Sequence, residues 1–239
     1  DKYSKKAMKF KEKDELMSSG NEFAVTGVKL KAPYGIACLS EGILLADHGE
    51  SCLYLIDYSG NLVRKIGELG NGPNQFQKPT GCTYHNGYYY VIDSGNKRIV
   101  ILDRQFNYTK ELKLPKSERE SEKEFTDIAI NDKGDIYISG SYLYDSGLYR
   151  YNLEKDKFEN VQKYFYGSLK EFGGEVYAVD QFRIYVDFEK KEITGGAGPN
   201  ALWKLDGRNI KKLSNLPAGL NAGSFELLRD NLIICSPFY

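Results

Sequence analysis

The sequence is poor in the side chains that enzymes most often use to hold metal ions. Among its 239 residues are two histidines, four cysteines and two methionines. A three-histidine zinc site therefore cannot form within one chain, and no two cysteines share the C-x-x-C spacing of a zinc or redox site. We expect neither a bound metal nor another cofactor.

Motifs of nucleophilic and phosphate-binding enzymes are missing as well. No G-x-S-x-G elbow, P-loop or H-E-x-x-H segment occurs in the sequence. The glycine-rich run Gly195–Pro199 lacks the Lys-Ser/Thr ending of a phosphate-binding loop, so we interpret it as a connection in the fold. These absences favour a protein without catalytic residues, with an enzyme as the alternative.

Excess charge and long apolar runs are absent too. The 33 lysines and arginines balance 33 aspartates and glutamates, which gives a formal net charge of +0. A general polyanion binder would carry a basic excess, so we do not expect nucleic acid as a partner. No apolar run approaches the ~18 residues of a membrane-spanning helix. No apolar signal-peptide core follows Asp1–Lys6, so either a signal peptide was removed or the sequence starts inside a longer protein.

The sequence is rich in β-forming residues, and they recur with a fixed period. It has 19 tyrosines, 12 phenylalanines and 24 glycines, a composition that fits a helical bundle poorly. Pro33–Gly35 is followed 46 residues later by Pro79–Gly81, and Leu44–Asp47 recurs at the same offset as Tyr90–Asp93. The offset continues into a third copy, and a looser fourth copy begins at Glu175. Such a period is typical of repeat architectures.

Each copy reads as four short strands. In the second copy these are residues 81–85, 88–92, 98–102 and 108–112, and Asn86–Gly87 between the first two is a favoured hairpin turn. Four antiparallel strands in about 40–46 residues form one blade of a β-propeller. We therefore predict an all-β propeller. Cys38 and Cys82 fall in its strands, where we expect buried thiols rather than disulfide partners.

The repeated segment resembles the NHL repeat. Its best copy runs from Pro79 to Asp103, and the linker Ile66–Phe76 is similar to that of bacterial extracytoplasmic propellers. The resemblance implies a propeller of six four-stranded antiparallel blades, with five as the alternative. It also implies an extracytoplasmic or secreted location and a binding or scaffold role.

We expect a single propeller domain over residues 1–239. Residues 30–194 hold four clear repeats, and residues 195–239 are assigned to irregular final blades. Residues 1–29, with candidate strands at 7–11 and from 23 onward, are expected to complete the last blade. Ring closure of this kind removes exposed strand edges, and we expect the closed protein to be a monomer.

Recurrent aspartates are the most conspicuous polar feature. Asp47, Asp93 and Asp180 end second strands of the repeats, whereas Asp57 and Asp103 end third strands. Carboxylates in turns commonly accept hydrogen bonds from backbone N–H groups two residues further along. One such group in each blade would lie far from the next. We therefore interpret all five as structural turn caps and not as metal ligands.

Candidate binding residues follow from residue type and predicted loop position. For a non-catalytic module that binds a protein, peptide or carbohydrate, we nominate His48, His85, Tyr142, Tyr144 and Trp203. Aromatic rings in loops can stack on a sugar or a peptide, and the two histidines can share a funnel at one end of the axis. A metal-dependent lyase or lactone-type hydrolase with its site in the axial funnel is the first alternative, and an RNA-binding propeller is the second.

Overall fold

The structure, a computed structural model, describes residues 25–116, 124–141, 146–163, 165, 167–180, 185–187, 192–194, 201–215, 224–228 and 231–235. These residues form strands and turns, which confirms the all-β prediction. Four antiparallel sheets of four strands follow one another along the chain, as the blades of a propeller do.

The first two blades follow the 46-residue repeat. The first blade consists of β1 (Pro33–Cys38), β2 (Ile43–Asp47), β3 (Cys52–Ile56) and β4 (Leu62–Ile66). The linker to the second blade contains the short parallel pair β5 (Glu68–Leu69) and β6 (Gln75–Phe76). The second blade consists of β7 (Pro79–His85), β8 (Tyr88–Asp93), β9 (Arg98–Leu102) and β10 (Tyr108–Lys113).

Two further blades and one pair of strands follow. The third blade consists of β11 (Glu124–Ile130), β12 (Ile136–Ser141), β13 (Gly147–Asn152) and β14 (Lys157–Lys163). The fourth is built from β15 (Gly167–Phe172) and β16 (Glu175–Asp180), then, after an inserted hairpin of β17 (Tyr185–Asp187) and β18 (Glu192–Thr194), from β19 (Ala201–Asp206) and β20 (Asn209–Asn215). A two-stranded sheet of β21 (Ser224–Leu228) and β22 (Asn231–Cys235) comes last.

The fourth blade corrects the boundary drawn from the sequence at residue 194. β16 pairs with β19, with Ala178 opposite Trp203, and β19 pairs with β20. Tyr185–Asp187, within the looser fourth copy, instead belongs to the inserted hairpin β17–β18. Because the insertion breaks the repeat period, the sequence pattern assigned the outer strands of this blade to the irregular final region 195–239.

The blades stack face to face around successive inner strands. β1, β7, β11 and β15 are neighbours in that order, and β21 lies beside β15 in the next position. Alternate residues of each strand enter the apolar layers between blades, so each of these layers takes side chains from two sheets. Six of the buried residues in these layers are Leu53, Leu55, Val91, Ile99, Ile101 and Ile136. Of the two strand cysteines expected to be buried, Cys82 is buried, whereas Cys38 is exposed in the described part of the chain because it lies on the face of β1 that points away from the second blade.

Glycine in the P-x-G motif allows the inner strands to approach closely. A Cβ atom on Gly35 would overlap the carbonyl oxygen of Thr80 in β7, and one on Gly81 would lie 2.9 Å from the carbonyl oxygen of Thr126 in β11. The hydroxyl of Thr80 donates a hydrogen bond of 2.6 Å to the carbonyl oxygen of Phe125. Backbone packing at the glycines and this buried hydrogen bond fix the spacing of the blades near the axis.

The strand directions give the propeller two distinct ends. At the linker end, the inner strand of a blade begins beside the turn between the second and third strands. In the first blade, the backbone N–H of His48 in this turn donates to the carbonyl oxygen of Ala32, just before the inner strand, at 2.9 Å. At the hairpin end, the first two strands are joined, as by Asn86 (φ 48°) and Gly87 (φ 89°). The positive φ angles of both residues fit the tight hairpin turn predicted from the sequence.

The described N-terminal residues lie on the first blade. Thr26 forms a parallel bridge with Asn61, and Val28 and Leu30 pack against the face of that blade that points away from the second blade. Of the N-terminal strands expected to close the ring, residues 1–24 lie outside the described residues. Ring closure by these strands therefore stays a proposal.

Candidate functional site

Asp47 is fully occupied by the turn in which it lies. Its carboxylate is buried and accepts hydrogen bonds from the backbone N–H groups of Lys31 (2.8 Å), Ala32, Gly49 and Glu50 (3.0 Å each). Burial favours the neutral acid, but these four donors together hold the pKa of Asp47 below its ordinary value. The carboxylate joins the start of the first blade to its β2–β3 turn.

Asp93 occupies the same position in the second blade with different partners. It accepts hydrogen bonds from the backbone N–H of Gln77 (2.7 Å), from Nδ2 of Asn96 (2.7 Å) and from Nε of Arg98 (2.9 Å). The other guanidinium nitrogens of Arg98 donate to Glu111 and to carbonyl oxygens of the linker. Asp93 thus serves the contact between the linker and the blade.

The remaining turn aspartates lie in separate places. Asp57 accepts from the backbone N–H groups of Ser59 and Asn61 (2.9 Å each), and Asp103 accepts in the same way from Gln105 (2.8 Å) and Asn107 (2.9 Å). The hydrogen bonds from Asn61 and Asn107 are the main reason that the pKa values of Asp57 and Asp103 lie below the ordinary value. Asp180 is buried at the end of β16.

The structure does not bring His48 and His85 together. His48 follows β2 at the linker end, whereas His85 ends β7 at the hairpin end. An inner strand of six to seven residues separates the two ends by roughly 20 Å at ~3.3 Å per residue. His48 stacks on Tyr34, with ring centroids 5.8 Å apart, and its buried Nδ1 has no partner among the described residues. A funnel shared by both histidines is therefore not formed.

Of the three other nominated residues, the structure describes Trp203. Tyr142 and Tyr144 lie outside the described residues. Trp203 lies in strand β19 and not in a loop, where it is half-buried and Nζ of Lys212 is 5.7 Å from its ring centroid. Its position follows from the corrected strand order of the fourth blade.

A stack of aromatic rings at the hairpin end was not recognised from the sequence. The ring centroids of Tyr84 and Tyr89 are 4.9 Å apart, and those of Tyr89 and Phe106 are 4.3 Å apart with an angle of 10° between planes. The guanidinium carbon of Arg64 lies 5.4 Å from the Phe106 centroid and covers the outer end. Tyr84, at the inner end of this aromatic stack, is exposed to solvent.

Glu41 from the first blade borders the aromatic stack. It accepts hydrogen bonds from Oγ of Ser40 at 2.7 Å and from the hydroxyl of Tyr89 at 3.4 Å. The hydrogen bond from Ser40 lowers the pKa of Glu41, whereas burial raises the pKa of Tyr89 to about 12. At neutral pH the pair is thus an ionised carboxylate beside a neutral phenol, next to the exposed ring of Tyr84.

Asp127 is a second polar group that sequence analysis did not single out. It lies on inner strand β11, and its carboxylate accepts from the backbone N–H of Ile128 (2.9 Å) and of Leu169 in the next blade (2.8 Å). Burial raises its pKa to about 6. Asp127 occupies the position in the third repeat that Gly81 occupies in the second. The P-x-G motif is defined by the glycine, so it does not single out Asp127.

The described residues form neither a metal-ligand cluster nor a membrane-spanning helix. No group of three or more histidine, cysteine, aspartate or glutamate side chains in the described part of the chain is arranged to hold a metal ion. The described part of the chain contains no helix that is long and apolar enough to cross a membrane.

The repeat, the four blades and their stacking agree with the comparison to known families. Residues 27–186 match the model of a family described as a 6-bladed beta-propeller. The chain belongs to this family. The match confirms the predicted fold class, and the structure describes four complete blades of it. A search of curated proteins finds no match.

Solved structures of bacterial propellers are similar to this chain. An exported protein from Bacteroides fragilis is 18% identical, with a TM-score of 0.57 over 80% of this chain and 52% of that chain. A protein of unknown function from Bacteroides caccae is 13% identical, with a TM-score of 0.57 over 85% and 70%. Virginiamycin B lyase from Staphylococcus aureus is 15% identical, with a TM-score of 0.58 over 84% and 62%. This chain thus spans 52% to 70% of the three proteins' length, and identities this low establish the fold alone.

Proposed function

We propose that this protein is a binding propeller whose ligand contacts the hairpin end, on the aromatic stack of Tyr84, Tyr89 and Phe106. The observation that carries the proposal is the exposed ring of Tyr84 beside the ionised carboxylate of Glu41. An aromatic face and a fixed hydrogen-bond acceptor suit a ligand with one flat apolar side and several hydroxyl donors. A carbohydrate has this chemistry.

The side chains at the hairpin end are held in place before a ligand binds, which favours the hairpin end over the linker end as the binding site. Tyr89 is held between two rings and donates to Glu41, so the surface beneath Tyr84 is fixed before a ligand arrives. Rigid groups lose little conformational entropy on binding. At the linker end, the turn aspartates Asp47 and Asp93 are already taken up by hydrogen bonds of the fold.

Binding of an array of oligosaccharides and peptides, followed by titration calorimetry, tests the proposal. Tyr84→Ala should lower the affinity about two- to tenfold, since an aromatic contact contributes roughly 0.5–1.5 kcal/mol and tenfold in affinity is about 1.4 kcal/mol. His85→Ala and His48→Ala are matched controls at opposite ends. An affinity that falls with His48→Ala and not with Tyr84→Ala would place the site at the linker end, and a peptide ligand would correct the ligand class.

An enzymatic role is the second candidate, and Asp127 is the observation that favours it. An acid whose pKa is raised to about 6 can exchange a proton near neutral pH, and one of the similar structures is a lyase. If the protein converts virginiamycin B and Asp127→Asn abolishes that activity while the variant stays folded, this role replaces the binding role.

An extracytoplasmic or secreted location is part of the same proposal. It is supported by the likeness to an exported protein. Fractionation of cells that make the natural full-length protein tests it, and recovery with the cytoplasmic fraction would contradict it.

A further inference from the structure

Arg104 lies at the hairpin end beside the aromatic stack, in the turn after β9. Asp103 fixes this turn by accepting hydrogen bonds from the backbone N–H groups of Gln105 (2.8 Å) and Asn107 (2.9 Å). The guanidinium of Arg104 packs on Gly87 of the β7–β8 hairpin, where an added Cβ atom would lie 3.3 Å from Nε and 3.9 Å from Cζ. The missing side chain at Gly87 therefore leaves the room that the guanidinium takes up.

The positive charge of Arg104 reaches both polar groups of the aromatic stack. The hydrogen bond from Ser40 is the main cause that lowers the pKa of Glu41, and the charge of Arg104 adds to it. Burial raises the pKa of Tyr89 to about 12, and the charge of Arg104 opposes that rise. The guanidinium is thus near both side chains, on the surface that the proposed ligand would cover.

The two arginines at the aromatic stack differ in how far the fold occupies them. The guanidinium carbon of Arg64 lies 5.4 Å from the ring centroid of Phe106, and its Nη1 donates to the carbonyl oxygen of Gln105 at 2.9 Å. Arg104 is exposed, and in the described part of the chain no carboxylate forms an ion pair with it. Arg104 is therefore the cation at this end whose N–H donors can bind a ligand.

We propose that the ligand of the hairpin end is an acidic saccharide whose sugar ring lies on Tyr84, whose hydroxyl groups donate to Glu41 and whose carboxylate binds Arg104. This inference rests on the binding role proposed above and names the class of its ligand. A guanidinium presents its N–H groups in a planar fork that matches the two oxygens of a carboxylate. An ionised glutamate can only accept hydrogen bonds, so it requires a donor such as a hydroxyl group.

The opposite charges of Arg104 and Glu41 select among ligands that fit the aromatic ring equally well. A neutral saccharide leaves the donors of Arg104 to water and gains only the contacts with Tyr84 and Glu41. A ligand with acids on every side places one of them beside the ionised Glu41, where like charges repel. A uronic acid carries one carboxylate and several hydroxyl groups on each ring, so it satisfies both side chains at once.

Calorimetric titration with oligouronides and with their carboxyl-reduced forms tests the inference. The probes are tetramers of galacturonate, glucuronate and mannuronate, each compared with the neutral tetramer that reduction of its carboxyl groups gives. At least one uronide should bind the unmodified protein about fivefold more tightly than its reduced form, the upper effect of a solvent-exposed ion pair. This preference should shrink between about 0.1 M and 1 M NaCl, because the Debye length falls from about 10 Å to about 3 Å.

Substitutions of Arg104 assign the preference to its side chain. Arg104→Gln should abolish the preference and leave the affinity for the reduced form unchanged. Arg104→Lys keeps the charge without the planar fork and should retain part of the preference. Arg208→Gln removes an exposed arginine of the fourth blade and is the matched control, expected to keep the whole preference. A preference for the uronide that persists in Arg104→Gln would overturn the inference.

The response to Tyr84→Ala separates failure of this inference from failure of the binding role. If a uronide and its reduced form bind equally and Tyr84→Ala weakens both, the binding role stands and the acidic ligand is wrong. The same holds if only neutral oligosaccharides bind and their affinity depends on Tyr84. If no oligosaccharide binds, or if Tyr84→Ala leaves every affinity unchanged, the site at the hairpin end is wrong and the acidic ligand with it.

Discussion

Nε of Arg98 donates to Oδ2 of Asp93 at 2.9 Å, and both side chains are buried beneath the linker between the first two blades. Nη1 of Arg98 also donates to Glu111 at 2.8 Å, and Nη2 donates to the carbonyl oxygens of Gly72 (3.0 Å) and Gln75 (2.9 Å). One guanidinium therefore holds a turn, an outer strand and the linker together.

Arg98→Ala should destabilise the protein strongly, because it leaves the Asp93 carboxylate buried without its cation. Removing one partner of a buried ion pair costs about 3–5 kcal/mol in the free energy of unfolding, measurable by urea denaturation. Lys133→Ala breaks the solvent-exposed ion pair with Asp206 and is the matched control, expected to change little. Equal effects of the two substitutions would mean that the Arg98 network is not structural.

Gly35→Ala tests the close approach of inner strands. The added Cβ would overlap the Thr80 carbonyl oxygen, a backbone atom that cannot rotate away, so β1 and β7 must separate. Overpacking of this kind costs about 1–3 kcal/mol or more. In Gly134→Ala the new Cβ meets no atom within 4 Å, so only its positive φ of 82° opposes the change, at about 1–2 kcal/mol. A smaller loss at Gly35 than at Gly134 would contradict the packing argument.

The first two blades could be predicted almost completely because their motifs recur at one fixed offset. Strand phase then follows from alternation within each strand, and the structure buries Leu53 and Ile99. The fourth blade could not be predicted because the inserted hairpin β17–β18 separates β16 from its partner β19. The short alternating run of β17 has the sequence pattern of the third strand of the blade. Only its pairing with β18 shows that it belongs to the insertion.

The aromatic stack was missed for a different reason. The tyrosines of β7 and β8 are visible in the sequence, but Glu41 comes from the hairpin of another blade, and Phe106 comes from the turn after β9. Their meeting depends on how two blades face each other, which a repeat period does not specify. The placement of His48 and His85 at opposite ends, in contrast, follows from strand direction within a predicted blade, since His48 comes after a second strand and His85 ends a first strand.

Ile101→Ala tests the apolar layer between the second and third blades. Ile101 is buried in that layer, so the substitution should lower the free energy of unfolding by about 2–5 kcal/mol. Leu153→Ala removes an apolar side chain that is exposed and should stay within about 0.5 kcal/mol of the unmodified protein. Chemical denaturation of both variants checks the strand phase, and a loss at Ile101 no greater than at Leu153 would show it to be incorrect.

The half-buried carboxyl of Asp127 should give stability an unusual dependence on pH. Burial raises its pKa from 3.8 to about 6, with the backbone N–H of Leu169 and the charge of Lys170 opposing the shift. Between these values the unfolded chain has lost the proton that the folded chain still binds. The free energy of unfolding should therefore fall as pH rises through this window, by about 3 kcal/mol at most at 1.36 kcal/mol for each pH unit.

Comparison of Asp127→Asn with the unmodified protein isolates this contribution. An amide does not titrate, so in urea denaturation from pH 4 to pH 7 the variant should lose less stability than the unmodified protein. Asp103→Asn is the control, since hydrogen bonds from Asn107 lower the pKa of Asp103 and its stabilisation is lost as pH falls. Asp127→Asn should therefore change the free energy of unfolding at pH values above the ordinary pKa of an aspartate, and Asp103→Asn should change it at pH values below that pKa. Parallel profiles for Asp127→Asn and the unmodified protein would mean that Asp127 is ionised in the fold at its ordinary pKa, and the enzymatic candidate would lose its proton carrier.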